Sequence, residues 1–436
     1  MEGKIKVKHT TSLAGQVIAP SSKSQSIRSI FFASLAEGES ILLNILNSAD
    51  TQDAVRICRQ LGAKVSKYAD GLLIQGVNKQ PNRGIACKNR LFFSGNSGLT
   101  TRFILPLLGL RANSEQAVTL DCGEQMRNRP IASLVDALRQ LGLTIHYLGQ
   151  PGFCPVTVLG GLQGGVAEIQ GISSQDVSAL LLALVCAEKD SEIRVKNCLS
   201  RPYIEMTLHW LQKQKIRYTH TCQAQLDIFS LQGRQHYKKF NPIITGDFSS
   251  ASYIIAAATL IPGCVQICGL DIEDPQGDKK LIAILQAMGA DIVVESARIT
   301  IRGGNILTGI KVDASNISDL LPTLAVIGTY ARGKTEISHV KHARIKETDR
   351  IHSMTLGLRQ LGARIEEYED GMVVYQSKLS GAAVKGWGDH RSVMALTLAG
   401  MLATGTTVID GSEAVNKTFP EFVKTMQSIG ARLENV

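Results

Sequence analysis

Three clusters of hydroxyls and cations have the composition of anion sites. Pro20 to Arg28 places Lys23, Ser24 and Arg28 at the start of an apolar run, Ile27 to Leu35. A helix beginning there offers free backbone N–H groups and the positive end of its dipole to a negative ligand. Ser94 to Arg102 repeats the design, and Gly95 and Gly98 within it let a ligand approach the backbone closely. Ile172-Ser173-Ser174-Gln175 repeats it again ahead of Val177 to Ala187. Each cluster alone reads more simply as a helix N-cap. Three at equivalent points of a repeating chain read as one composite anion site.

The second half carries charge in place of hydroxyls. Arg344, Lys346, Glu347, Asp349 and Arg350 crowd the opening of a helix. Glu347 between Lys346 and Arg350 is what a general acid or base held among phosphate-binding cations requires. The same spacing also suits an i, i+4 salt-bridge ladder on a solvated face. Asp389-His390-Arg391 precedes the apolar run Ser392 to Leu402, and Lys417-Thr418-Phe419-Pro420 precedes the last helix. Gly328 to Thr335 matches the phosphate-loop pattern G-x-x-x-x-G-K-T, but that loop needs a strand before it and a helix after it. Here the order is reversed, so the match reads as a helix cap.

Composition narrows the partners. The 436 residues carry a net charge of +9, which favours anionic ligands. Aromatics are only 5% and are not interleaved with the cations, which argues against stacked single-stranded nucleic acid. No apolar stretch reaches the roughly 20 residues that cross a bilayer; the best, Ile254 to Ile267, is broken by Pro262-Gly263. The charged start, Met1 to Lys8, lacks the apolar core of a signal peptide. Nine cysteines without a C-x-x-C pair fit reduced thiols of a cytoplasmic protein, with neither a disulfide framework nor a zinc site.

The elements that position these clusters repeat. An amphipathic helix ending in apolar-Gly-apolar recurs at Gly62, Gly142, Gly289, Gly362 and Gly430, with Lys215 in the glycine's place in a degenerate copy. The glycine is a left-handed cap, and alternating residues such as Lys64 to Tyr68 follow as a strand. Between these copies runs a second, apolar helix ending near Gly38, Gly263, Gly333 and Gly405, with a weaker copy from Leu184 to Ile193. The spacing of about 70 to 80 residues gives six βαβαββ-like modules. The expected fold class is therefore α/β, with two similar domains of three modules each and a ligand cleft between them. The expected boundaries are 22–242 for one domain and 1–21 with 243–436 for the other. The polar stretch Gly233 to Asn241 reads as a crossing linker.

Taken in order, the clusters resemble the enolpyruvyl transferase superfamily, and within it the branch acting on shikimate 3-phosphate. The resemblance runs from Lys23-Ser24 through Gly95-Asn96-Ser97-Gly98, Arg129-Pro130, Ser173-Ser174-Gln175, Gly246-Asp247 and Lys346 to Arg350, and closes with Asp389-His390-Arg391 and Lys417 to Pro420. It implies the six-module, two-domain fold of that superfamily, with the first strand segment joining the C-terminal domain. It further implies transfer of the enolpyruvyl group of phosphoenolpyruvate to the 5-hydroxyl of shikimate 3-phosphate, releasing phosphate. By matching positions, Lys23, Ser24, Arg28, Ser173, Ser174, Gln175, Ser200, Tyr203, Asp319 and Lys346 would hold shikimate 3-phosphate. Lys23, Gly98, Arg129, Gln175, Arg350, Arg391 and Lys417 would hold phosphoenolpyruvate. Asp319 would be the base for the 5-hydroxyl, and Glu347 with Lys23 would protonate the methylene carbon. No cofactor, metal, nucleic acid or membrane is implied, and a monomer is expected; the family is the target of the herbicide glyphosate, and Leu99 near the phosphoenolpyruvate pocket predicts reduced sensitivity to it.

The chain departs from the family pattern at Ser22, where Gly is usual, at Leu99, where Thr is usual, and at Phe103 and His342. Two other functions compete with this reading. A transferase acting on a UDP-amino sugar would usually pair the early Lys with Asn and use a loop Cys; here Ser24 follows Lys23 and Arg129 lies in that loop, with Cys122 nearby. The other alternative is an RNA-binding or RNA-processing protein on a similar fold.

Overall fold

The computed structural model describes residues 3–77, 84–223, 225–296 and 298–436. The chain divides into two compact units, Lys23–Ile244, and Met1–Ser22 with Thr245–Val436, each with its own apolar core.

In the unit containing both chain ends, three sheets share one topology. Lys311–Asp313 runs parallel to Lys334–Ser338, which pairs antiparallel with Gly371–Tyr375 and through it with Ile365–Tyr368. Leu13–Ile18, Gly263–Cys268, Arg298–Gly303 and Asp291–Val294 repeat that order. Ala383–Val384, Thr406–Asp410, Lys4–Lys8 and Leu433–Asn435 repeat it again, so the N-terminal strand fills the place that a late hairpin strand fills elsewhere.

In the Lys23–Ile244 unit the same order recurs in Leu91–Phe93, Val118–Asp121, Val156–Leu159 and Thr144–Tyr147, and in Gly165–Gln170, Ser191–Lys196, Leu226–Leu231 and Tyr218–Gln223. The remaining sheet has three strands, Glu39–Leu42, Gly71–Gln75 and Lys64–Tyr68, and its parallel neighbour is reduced to one bridge, Leu43 to Ile243.

Each module carries two kinds of helix, and composition separates them. Lys23–Leu35, Gly98–Leu107, Ser174–Leu184, Phe248–Leu260, Leu321–Tyr330 and His390–Leu402 are apolar around most of their circumference and are buried along most of their length. Ala49–Leu61, Ala132–Gln140, Arg201–Lys213, Lys280–Met288, Arg350–Gln360 and Phe422–Ser428 bury one face only. Each of these ends in a left-handed residue: Gly62, Gly142, Lys215, Gly289, Gly362 or Gly430, with φ between 57° and 116°. At Lys215 that conformation costs about 1–2 kcal/mol, which glycine avoids. The clusters at Lys23, Gly98, Ser174 and His390 therefore open buried helices, whereas those ending at Arg350 and Pro420 lead into helices that bury one face.

Two local readings are settled by the packing. The phosphate-loop match spans the end of the Leu321–Tyr330 helix and the start of the Lys334–Ser338 strand, the wrong order for a nucleotide loop. The stretch Gly233 to Asn241 is not a loose linker. It contains Tyr237–Lys238, paired parallel with Ala36–Glu37, and Tyr237 is fully buried with its hydroxyl donating to the Leu182 carbonyl at 2.7 Å. Two aromatic rings anchor this polar run, Tyr237 and also Phe240, which packs against Trp210.

Candidate active site

In the Lys23–Ile244 unit, Arg28 is the centre of one group of the expected residues. It projects from the first buried helix and is 1% exposed. Its Nε donates to Thr207 Oγ1 at 2.9 Å, Nη1 to the Ser24 carbonyl at 3.1 Å, and Nη2 to the Tyr203 carbonyl at 2.6 Å and Ser178 Oγ at 3.4 Å. Any ligand contact of Arg28 comes in addition to these four bonds, which tie Ser24 to Tyr203. Ser200 is buried with φ +55°, a left-handed residue at the head of the Arg201–Lys213 helix that carries Tyr203. Lys23 Nζ lies 3.5 Å from Asp50 Oδ2 in the first turn of the next helix.

A second group in this unit surrounds the start of the Gly98–Leu107 helix. A side-chain Cβ placed on Gly98 would lie 2.5 Å from Arg129 Nη1, so the guanidinium of Arg129 rests against the bare α-carbon. Arg102, one turn on, donates to the Gly98 carbonyl at 3.2 Å, the Pro130 carbonyl at 2.8 Å and Asp176 Oδ1 at 2.7 Å. Ser173 precedes the Ser174–Leu184 helix as its N-cap residue, and Ser174 is buried. Gln175 has a buried Oε1 with no hydrogen-bond partner among the described residues.

In the unit containing both chain ends, the expected acid and base are joined by arginine. Asp319 sits on a short turn, Ser318–Leu320, and accepts from Arg350 Nη1 at 2.8 Å and Arg391 Nη2 at 2.6 Å. Glu347 accepts from Arg350 Nη2 at 2.6 Å. Arg350 also donates from Nε to Asp389 at 2.9 Å. Asp349 and Asp389 cap the two helices that begin at Arg350 and His390, which fixes both arginines at helix starts. Arg344 pairs with Asp349 at 2.6 Å and with Glu367 on the Ile365–Tyr368 strand at 3.0 Å, neither of them an i, i+4 pair along a helix face. Lys417 ends the Ser412–Lys417 turn, half-buried.

The field here is strong. Burial opposes charge on Asp319, but Arg391, Arg350 and Lys346 overcome it and hold the carboxyl well below the usual range. Burial and Lys346 push His342 down to about 4, so it is neutral near pH 7. Burial and the neighbouring Asp319 raise Asp278 to about 7, against the pull of Arg391. Asp278 accepts from Ser249 Oγ on the Phe248–Leu260 helix. Neither Asp278 nor the Arg102–Asp176 pair has an expected role in the sequence reading. Arg102 and Asp176 stand at the edges of two clusters already singled out, whereas Asp278 has no local signal.

In the unit containing both chain ends, two carboxylates, Asp319 and Glu347, are thus paired with arginines. The other gathers cations, hydroxyls and free amides at helix starts. A family model described as EPSP synthase (3-phosphoshikimate 1-carboxyvinyltransferase) matches residues 7–426. The chain is 40% identical over 418 residues to the 3-phosphoshikimate 1-carboxyvinyltransferase of Acetivibrio thermocellus, covering 96% of each. It is also 40% identical over 434 residues to that of Methanocaldococcus jannaschii, covering 98% of each. Among solved structures, an EPSP synthase from Acinetobacter baumannii matches with a TM-score of 0.83 at 25% identity, covering 100% of both chains.

Proposed function

The chain belongs to the EPSP synthase (3-phosphoshikimate 1-carboxyvinyltransferase) family, and from that premise we propose how its side chains divide the work. It transfers the enolpyruvyl group of phosphoenolpyruvate to shikimate 3-phosphate in the shikimate pathway. In our reading, Lys23, Ser24, Arg28, Ser173, Ser174, Gln175, Ser200, Tyr203, Asp319 and Lys346 hold shikimate 3-phosphate. Lys23, Gly98, Arg129, Gln175, Arg350, Arg391 and Lys417 hold phosphoenolpyruvate.

The addition step joins the 5-oxygen to C2 of phosphoenolpyruvate while a proton reaches C3. Asp319 takes the hydroxyl proton and Glu347, with Lys23, supplies the one for carbon. Elimination then returns a proton from the new methyl group to the acid-base pair, and the C2–phosphate bond breaks. Positive character develops at C2 and negative charge on the departing phosphate, so the arginines stabilise the latter and the carboxylates the former. Fixed cations carry the electrostatic load, and the reading calls for no cofactor or metal. No helix among the described residues is long and apolar enough to cross a membrane. We place the enzyme in the cytoplasm as a monomer.

The observation that carries the acid-base assignment is that Asp319 and Glu347 both accept from Arg350. Phosphate release from phosphoenolpyruvate with shikimate 3-phosphate, and not with a UDP-amino sugar, tests the substrate. Turnover at the wild-type rate in Asp319→Asn would remove the base from its role.

A further inference from the structure

We propose that Arg201 and Asp227 form a positioning pair that holds Ser200 and Tyr203 in place for shikimate 3-phosphate; this rests on the reading that those two residues contact that substrate. Ser200 is buried and left-handed, with φ +55° and ψ +42°. A residue with a Cβ is strained there and keeps that conformation only where its surroundings enforce it. The residues on either side supply the enforcement. Before it, the Leu199 N–H donates to the Gly171 carbonyl at 2.9 Å. A Cβ on Gly171 would lie 2.6 Å from the α-carbon of Cys198, so the two turns touch without room for a methyl group. After it, Arg201 donates from Nη2 to Asp227 Oδ2 at 2.5 Å and from Nη1 to Cys222 Sγ at 3.0 Å.

Asp227 is the fixed end of the pair. Its side chain is 1% exposed, and its strand, Leu226–Leu231, is paired on both sides, with Ser191–Lys196 and with Tyr218–Gln223. Its second oxygen, Oδ1, faces His220 Nε2 at 2.8 Å, and the His220 ring stacks on Phe229 with centroids 4.2 Å apart. Both carboxylate oxygens are therefore held within the sheet, and a carboxylate buried there requires its cation. Arg201, the first residue of the Arg201–Lys213 helix, is drawn to that point and brings the helix start with it. Tyr203 follows, because its N–H donates to the Ser200 carbonyl at 3.1 Å while its own carbonyl accepts from Arg28 at 2.6 Å. A displaced Arg201 thus moves Ser200 directly and Tyr203 through that bond.

Arg201→Met removes the bonds to Asp227 and lets Ser200 relax toward negative φ. KM for shikimate 3-phosphate should rise about tenfold, while KM for phosphoenolpyruvate moves less than about twofold and kcat less than about threefold. The single variant also leaves a buried carboxylate without its guanidinium and lowers the thermal midpoint. The double variant Arg201→Met/Asp227→Leu replaces the pair with apolar side chains and should recover that midpoint. Its KM for shikimate 3-phosphate should stay raised, because no directional bond then holds the turn. A pair that served only stability would let KM and midpoint recover together. Arg201→Lys keeps the charge without the fork and should raise KM for shikimate 3-phosphate about threefold at a midpoint near wild type.

An unchanged KM for shikimate 3-phosphate in Arg201→Met, or a double variant in which KM returns to wild type along with the midpoint, overturns the proposal. Should Arg201→Met fail to fold, Arg201→Lys carries the test, and a wild-type KM for shikimate 3-phosphate in it counts against the pair. Ser200→Ala and Tyr203→Phe are the separate check on the reading beneath. Each removes one hydroxyl, and if neither changes KM for shikimate 3-phosphate, this turn does not contact the substrate. If they raise it and the Arg201 variants do not, the contact stands and the positioning role falls.

Discussion

Asp319 and Glu347 are joined through one guanidinium: Arg350 Nη1 reaches Asp319 Oδ1 at 2.8 Å and Nη2 reaches Glu347 Oε2 at 2.6 Å. Arg350 is 1% exposed and is also held by Asp389, so it cannot swing far from either carboxylate. Removing one acidic oxygen therefore perturbs charge more than shape. Asp319→Asn and Glu347→Gln should each lower kcat by about 10²–10⁴-fold while KM for both substrates changes little. Single-turnover phosphate release separates this loss of chemistry from loss of binding.

The same arginines predict how the pH profile moves. With Arg391 and Arg350 on its two oxygens, Asp319 stays ionised far into acid and is a weak base. A bound phosphoenolpyruvate carboxylate or phosphate competes for both guanidinia and loosens their hold. The acidic limb for kcat, which reports the bound complex, should therefore lie at higher pH than that for kcat/KM, which reports the free enzyme. Lys346, Glu347, Asp278 and the neutral His342 also act on or beside Asp319, so the limb is read as a property of the cluster. Coincident limbs in Asp319-intact enzyme would remove the competition argument.

Much of this arrangement is legible in the sequence because it repeats. The glycine caps at Gly62, Gly142, Gly289, Gly362 and Gly430 recur at one place in each module, and the period alone locates Lys215 as the sixth. All-round apolar runs such as Phe248–Leu260 announce buried helices, and the clusters before them announce helix starts. Partners are another matter. Arg102 and Asp176 are 74 residues apart and Arg350 and Asp389 are 39 apart, and no local pattern pairs them. Arg28 reads from its cluster as a ligand cation, whereas the fold surrounds it with backbone carbonyls and hydroxyls. Linear spacing records which face a residue occupies, not which distant residue packs on it.

Asp278 gives a stability test. Its carboxyl is fully buried and raised to about 7 by burial and by Asp319. The unfolded chain ionises this group near 4 while the folded protein keeps it protonated, so it removes stability progressively as pH rises between those values. Above about 7 the penalty is constant. Asp278→Asn keeps an acceptor for Ser249 and takes the charge away. Relative to wild type, the variant should gain in thermal midpoint on going from pH 5 to pH 8. A difference that is flat across that range would mean the carboxyl is already ionised at pH 5.

The last expectation concerns glyphosate, which competes with phosphoenolpyruvate in this family. Leu99 stands where Thr is usual, is 5% exposed and belongs to the apolar core of its unit. Its effect on a ligand must therefore pass through its neighbour Gly98, whose α-carbon already meets the guanidinium of Arg129 without room for a methyl group. A bulkier buried side chain pressing on the helix start moves Gly98 toward Arg129, because close-packed interiors transmit small shifts. Glyphosate is longer than phosphoenolpyruvate and loses more from a narrowed site. Wild type should thus show a high ratio of the glyphosate inhibition constant to KM for phosphoenolpyruvate, and Leu99→Thr should lower that ratio several-fold, on the order of 1 kcal/mol of differential binding. Inhibition measured against phosphoenolpyruvate in both proteins decides it: an unchanged ratio would place the determinant of sensitivity elsewhere than in the packing behind Gly98.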